Sequence, residues 1–390
     1  MNLRIIFILV IVSFYSCKLI EKNPKTEEVS GCTDKLAYNY FPDATQDDRS
    51  CDYCTGKSGS QFLLISYNGG VTWKRRCFNI PAGHITDISI TDNNNIWVCT
   101  MGQSKAQILH SNNGGYTWHE QYEDTENNEK FIYIEMFDNS TGVAIGDGKD
   151  FFPLFLKTIN GGRTWEKTLT QQIGLSERSW KTVDFVDLDN GYYFGSYPEY
   201  TDTSNEHFPI VIPESLKLYK TTDSGYNWSE IIFDQYVCAL SFFNTNIGLI
   251  SGQNNEIYIT TDGSDTWQTT EVNIDDYSIY PAYDIAFHPS NPNELWIASG
   301  NGNLYKSNDM GSTLIRQSVS SERILADDIY VGETTVWAIG HYPDYPLYVN
   351  TNQSQDNWEL IKLPLHENKE VGGVIDGVGD NIIVIPGYYY

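Results

Sequence analysis

The chain is 390 residues long and carries 51 acidic against 25 basic residues, a formal net charge of −26. A surface that acidic repels phosphate backbones and anionic head groups, which excludes nucleic acid as a partner and adsorption to a membrane through basic patches. Beyond residue 16 no apolar run is long enough to span a bilayer.

The first sixteen residues, MNLRIIFILVIVSFYS, are one Arg followed by an apolar run and read as a secretory signal, outside the fold. Phe14-Tyr15-Ser16-Cys17 resembles a loose bacterial lipobox, with a small residue just before the cysteine and aromatic residues where aliphatic and small ones are usual. The resemblance implies cleavage before Cys17 and its acylation. The protein is then lipid-anchored in the bacterial cell envelope, on the outer membrane or the cell surface, and meets the membrane through that anchor only. An ordinary signal peptide or an uncleaved anchor is the alternative, and each of the three places the domain outside the cytosol. Residues 17–30 (CKLIEKNPKTEEVS) are charged, lack apolar periodicity and read as a tether.

Residues 31–54, GCTDKLAYNYFPDATQDDRSCDYC, form a Cys- and Asp-rich module. Export makes disulfides chemically permissible there. Cys32-Thr33-Asp34, Ala37, Asn39-Tyr40, Pro42, Ala44, Asp47-Asp48 and Ser50-Cys51 resemble a short repeat of exported proteins from Bacteroidota-type bacteria, with Arg49 where that repeat carries glycine. The resemblance implies a Cys32–Cys51 disulfide; given that bond, Cys54 is left to pair with Cys77. Asp34, Asp43, Asp47 and Asp48 offer hard oxygen ligands, which makes calcium a weak candidate cofactor; a disulfide spacer with solvated acids is the other reading. Arg49 argues against calcium, because a tight ligand loop often needs the positive φ that glycine adopts most easily. Cys99 and Cys238 sit in apolar strand patterns and read as buried thiols.

From residue 55 to 390 one pattern, S/T-x-D/N-x-G-x-T-W, recurs seven times: SYNGGVTW (66–73), SNNGGYTW (111–118), TINGGRTW (158–165), TTDSGYNW (221–228), TTDGSDTW (260–267), SNDMGSTL (307–314) and TNQSQDNW (351–358). Internal repetition at this period signals a propeller or a similar array. Each unit reads as two hairpins, apolar and β-branched alternation broken by Asn, Asp and Gly, the repeated pattern being the turn of the second. Four strands per unit make a propeller blade. The chain enters on a second-type hairpin (62–77) and leaves on a first-type one (371–388), so the two halves complete one composite blade. The expected fold is therefore all-β, a seven-bladed β-propeller with a composite closing blade, preceded by the small Cys-rich module.

Within the turn, the hydroxyl at position one and the Asp or Asn at position three are expected to bond backbone N–H groups. Gly at position five tolerates positive φ, and Trp at position eight is expected between blades with its indole N–H paired. Position three reads as Asn68, Asn113, Asn160, Asp223, Asp262, Asp309 and Gln353. These turns resemble Asp boxes, the bacterial neuraminidase repeats, which sialidases, glucanases, sortilin-like receptors and photosystem-assembly-factor-like proteins share. The motif names a fold, and function must be argued from a site.

The face opposite the turns is the expected site. Its longest insertion is 197–215, and its loops are rich in aromatic and acidic residues. Phe151, Phe152, Trp180, Tyr197, Tyr200, Tyr342, Asp344 and Tyr345 are the candidate ligand-binding residues, suited to an envelope or extracellular protein, or to a glycan; the bland reading is that they pin loops to the blades. A sialidase-type arginine triad has only Arg178, Arg323 and, as a third candidate, Arg76 to draw on. No catalytic residue stands out. No pair of carboxylates is singled out for glycoside hydrolysis, and the seven His residues show no metal spacing. The segment Phe137–Trp165 most resembles photosystem-assembly-factor-like and sortilin-like propellers, which implies a non-catalytic binding or assembly role. A divergent glycoside hydrolase of sialidase or glucanase type is the alternative.

Overall fold

In the computed structural model the chain is a ring of seven sheets. The structure describes residues 29–389 apart from 36, 38–39, 50, 52–53, 55–59, 102–105, 125–129, 148–152, 169–182, 197–199, 203–209, 213–215, 232, 234, 236, 253–255, 272–281, 300–302, 320–321, 324–325, 341–345, 354–356, 364–368 and 372. Among the described residues there is no helix. Blade 1 is built from strands His84–Ile90, Ile96–Met101, Ala106–Ser111 and His119–Asp124, in antiparallel order. Blades 2 to 6 repeat the plan, their first strands being Lys130–Met136, Val183–Phe185, Val237–Phe242, Ala282–His288 and Asp328–Val331.

Blade 7 is composite. Strand Gln61–Ser66, from near the start of the chain, pairs antiparallel with Ile382–Tyr389 from its end. Lys74–Cys77 lies outside that pair, while Lys369–Val371 and Asp376–Val378 share its inner edge. Both sides of the closing joint are thus held by a full strand ladder.

The core is divided as the sheets are. Period-two alternation sends successive side chains to opposite faces of a blade, and seven buried clusters result, one per blade interface. Leu63 and Ile65 pack toward blade 1 with Ile88, Val98 and Trp118. Phe62 and Leu64 pack toward blade 6 with Trp337, Ile339 and Val349. The residue at position eight of each turn enters the interface with the preceding blade: Trp118, Trp165, Trp228, Trp267, Leu314, Trp358 and Trp73 each join a different cluster.

The Cys-rich module is tied to this ring. Cys32 bonds Cys51 and Cys54 bonds Cys77, the latter in the outermost strand of blade 7. Cys32, Ala37 and Cys54 belong to the same buried cluster as the interface of blades 6 and 7. Arg49 holds φ 61°, the conformation glycine favours, and its N–H bonds Asp47 Oδ1 at 3.0 Å. Asp43, Asp47 and Asp48 are exposed and Asp34 is half-buried. Among the described residues no three His, Cys, Asp or Glu side chains converge to hold a metal ion. Cys99 and Cys238 are buried and take part in neither disulfide.

The repeated turns behave as one structural device. In six copies the position-one hydroxyl accepts the position-five N–H at 2.8–2.9 Å. The position-three Oδ1 accepts the position-seven N–H at 2.8–3.0 Å. The position-four N–H bonds a carbonyl in the other hairpin of the same blade, as Gly114 does with Asn94 and Gly263 with Asn246.

Two expectations need correction. The seventh copy begins at Asn350, which pairs with Val336 as Ser111 pairs with Ile96. Asn350 Oδ1 replaces the hydroxyl and accepts the Asn352 N–H at 3.2 Å. Position three is therefore Asn352, and Gln353 takes position four with φ 51°, its side chain bonding Gly332 O in place of a backbone N–H. The copy holds one residue more than the others, which the spacing disguised. Nor is every indole paired. Trp118, Trp228 and Trp358 donate to an acceptor, whereas the buried N–H groups of Trp73, Trp165 and Trp267 find none among the described residues.

Candidate functional site

The innermost strands surround the axis, and their inner edges have no strand partner. Unpaired edge N–H groups must be satisfied by something else. Here side chains of the preceding blade supply the acceptors, in two layers. In the layer nearer the turns, Ser89 Oγ accepts Met136 N–H at 2.9 Å, Asp184 Oδ2 accepts Phe242 N–H at 2.5 Å and Asp376 Oδ2 accepts Ile90 N–H at 2.9 Å. Tyr133 Oη reaches down to the same layer and accepts Phe185 N–H at 3.2 Å, while in the layer above it Asp87 Oδ2 accepts Ile134 N–H at 2.8 Å. Asp284 and Asp328 do the same for Ile329 and Ile375, each at 2.9 Å.

The acids of neighbouring blades sense one another. Burial pushes the Asp376 carboxyl up to about 8, with Asp87 and Asp328 adding to the rise. Burial likewise raises the Tyr133 hydroxyl, aided by Glu135, Asp184 and Asp87. Sequence reasoning missed this set. The signal was an Asp at the same place in several first strands, but a β-bulge shifts the register at Thr86, Ile132, Cys238 and Tyr283 in blades 1, 2, 4 and 5. Bulges re-aim side chains at rims. Tyr283, at this position, is exposed on the side opposite the turns.

Of the sequence-predicted ligand residues, Phe151, Phe152, Trp180, Tyr197, Tyr342, Asp344 and Tyr345 lie outside the described residues, as does Cys17. Tyr200 begins a short strand, Tyr200–Asp202, paired antiparallel with Ile210–Ile212, so the long insertion of blade 3 contains a hairpin of its own. Arg178 also lies outside. Arg76 is drawn to the turn side: its guanidinium sits 3.9 Å over the Tyr116 ring and its Nε bonds Gly114 O at 3.3 Å. That removes it from any arginine triad on the opposite face.

Lysines fasten the turn side as well. Lys157, Lys220 and Lys306, each just before a turn, reach Ser224 Oγ, Gly263 O and Gln353 O in the next blade at 2.7, 2.8 and 2.6 Å. The turn side and the axial acids are thus engaged in holding blades together.

No protein-family profile matches the chain, and no curated protein matches it in sequence. Solved structures of similar shape exist. One described as YCF48 bound to D1 peptide is 16% identical with a TM-score of 0.51, over 79% of this chain and 92% of that one. The GH74 enzyme of Niastella koreensis is 14% identical with a TM-score of 0.51, over 77% of this chain and 54% of that one. A streptogramin B lyase structure is 11% identical with a TM-score of 0.53, over 83% and 97%. At such identities the likeness is one of fold, the seven-bladed propeller.

Proposed function

We propose that this chain is an envelope-anchored, non-catalytic binding or assembly protein that recognises a protein or glycan on the propeller face opposite the repeated turns. The observation that carries the reading is the engagement of the axial carboxylates: five of them accept backbone N–H groups of a neighbouring blade and act as fasteners. A solved neighbour of the same fold, YCF48, holds a peptide, which shows that such a ring can serve as a binding platform. The turns resemble Asp boxes, and the resemblance of the start of the chain to a lipoprotein signal supports an anchor on Cys17.

Cross-linking and capture from the native envelope tests the reading. Replacing Tyr197, Tyr200, Tyr342 and Tyr345 by Ala is expected to abolish capture of a partner that the unaltered protein retains; undiminished capture would move the site elsewhere. Cys17→Ser is expected to release the protein from membranes. The GH74 neighbour keeps a hydrolase in view, and turnover of a β-glucan or a sialoside by the purified protein would replace the binding reading with that one.

A further inference from the structure

Three of the repeated turns place Asn directly before Gly: Asn68-Gly69, Asn113-Gly114 and Asn160-Gly161. This dipeptide is prone to deamidation. The glycine amide nitrogen, after losing its proton to solvent base, attacks Cγ of the asparagine, and ammonia leaves. Water then opens the succinimide at either carbonyl to give aspartate or isoaspartate.

The fold holds both reacting groups. Gly69, Gly114 and Gly161 donate their N–H to Asn381 O, Asn94 O and Ser140 O at 2.9, 2.9 and 2.7 Å. The carboxamides are pinned: Asn68 Oδ1 accepts Thr72 N–H at 2.9 Å while its Nδ2 reaches Thr72 Oγ1 at 3.0 Å, and Asn113 and Asn160 repeat the arrangement with Thr117 and Thr164. The amide proton is engaged, and Cγ is held in place by bonds to the seventh residue of the same turn. Reaction has to wait for the turn to open.

The three sites differ in what opens them. Asn94 and Ser140 belong to the same continuous stretch of chain as the turns they hold. Asn381 does not: it lies in the C-terminal half of blade 7, across the joint where Gln61–Ser66 meets Ile382–Tyr389. We propose that Asn68 is a modification site gated by closure of the ring, kept as asparagine while the composite blade is zipped and converted by water to aspartate or isoaspartate when it opens. Asn113 and Asn160 are gated by their own blades and act as internal controls. The aspartate product is benign, since Asp223, Asp262 and Asp309 fill the same position natively. The isoaspartate product adds a carbon to the backbone of the turn and prevents rezipping.

Peptide mass mapping of the full chain, incubated in mildly alkaline buffer across a urea series, tests this. In native buffer all three sites are expected to react at least about tenfold more slowly than in full denaturant, because reaction waits on local opening. Asn68 is expected to accelerate at lower urea than Asn113 and Asn160. Native reaction of Asn68 at its denatured rate would overturn the gating, and simultaneous acceleration of all three sites would overturn the assignment to the joint. Asn68→Asp is expected to keep the unfolding midpoint of the unaltered protein; a large loss would refute the benign branch.

Discussion

The carboxylate of Asp376 accepts the Ile90 N–H at 2.9 Å, and that bond joins the last blade to the first. Asp87 and Asp328 face it from the innermost strands on either side, and its burial holds the carboxyl up to about 8. An unfolded Asp titrates near 4. Between those values the native chain binds a proton that the unfolded chain lacks, so stability falls as pH rises from about 4 to about 8 and levels off above. Asp376→Asn keeps an acceptor for Ile90 and removes the titration. Urea unfolding is expected to find the variant more stable than the unaltered protein at pH 8, by on the order of 2 kcal/mol given partial solvation of the group. The difference should vanish toward pH 4; a constant difference refutes the assignment.

Asp92 has the opposite sign. Burial opposes its ionisation, but bonds from the Asn95 side chain, the Asn94 N–H and the Asn139 side chain outweigh it and hold the carboxyl down to about 2. Its contribution is present above the unfolded value near 4 and is lost as pH falls through the folded value. Asp92→Asn is expected to lower the urea midpoint at pH 6 and to approach the unaltered protein near pH 2. A midpoint deficit that does not shrink with acid would show that the side chain acts by packing alone.

Asp284 is a purer fastener. It is buried and accepts the equally buried Ile329 N–H across the interface of blades 5 and 6. Asp284→Ala leaves that donor with Asp328 Oδ1 alone, at 3.1 Å, and is expected to cost about 1 kcal/mol, with Asp284→Asn milder. Chemical denaturation checks both. A cost no larger than that of an exposed Asp would show the interblade bond to be incidental.

The architecture was legible because blade and turn repeat as one unit. Trp118, Trp228 and Trp358 lie where the eighth position required, and the split hairpins 62–77 and 371–388 announced the composite blade. What stayed hidden depended on register. A bulge at Thr86, Ile132 or Tyr283 breaks the period-two alternation just before Asp87, Tyr133 and Asp284, so the face these side chains take does not follow from counting along the strand from its start. The extra residue after Asn350 concealed the seventh turn's register in the same way. The candidate site was less legible still, since the loops opposite the turns lack the repeat that made the blades readable.

The Cys54–Cys77 disulfide joins the module to the outermost strand of the composite blade across a sequence separation of 23 residues. Removing a cross-link of that span is expected to cost about 3 kcal/mol, chiefly by freeing the unfolded chain. Replacing both cysteines by Ser should lower the guanidinium midpoint accordingly. Reductant should bring the unaltered protein down to that midpoint or below it, because it also opens Cys32–Cys51. An unchanged midpoint would show that the module adds nothing to the ring.

Two adjacent glycines separate backbone strain from packing. Gly69 and Gly70 hold φ 62° and 78°. A methyl on Gly69 would meet only Asp380 O at 3.2 Å, so Gly69→Ala carries mainly the left-handed strain, about 1–2 kcal/mol. A methyl on Gly70 would lie 2.1 Å from the indole of Trp337 in blade 6. That indole is fully buried and cannot retreat, so Gly70→Ala adds an overpacking cost of about 1–3 kcal/mol to the same strain. Pairing Gly70→Ala with Trp337→Leu should recover part of the loss, a coupling of at least about 0.5 kcal/mol in a double-mutant cycle read by urea unfolding. Additive costs would mean that the turn and the indole do not touch, and that position five is glycine for its backbone alone.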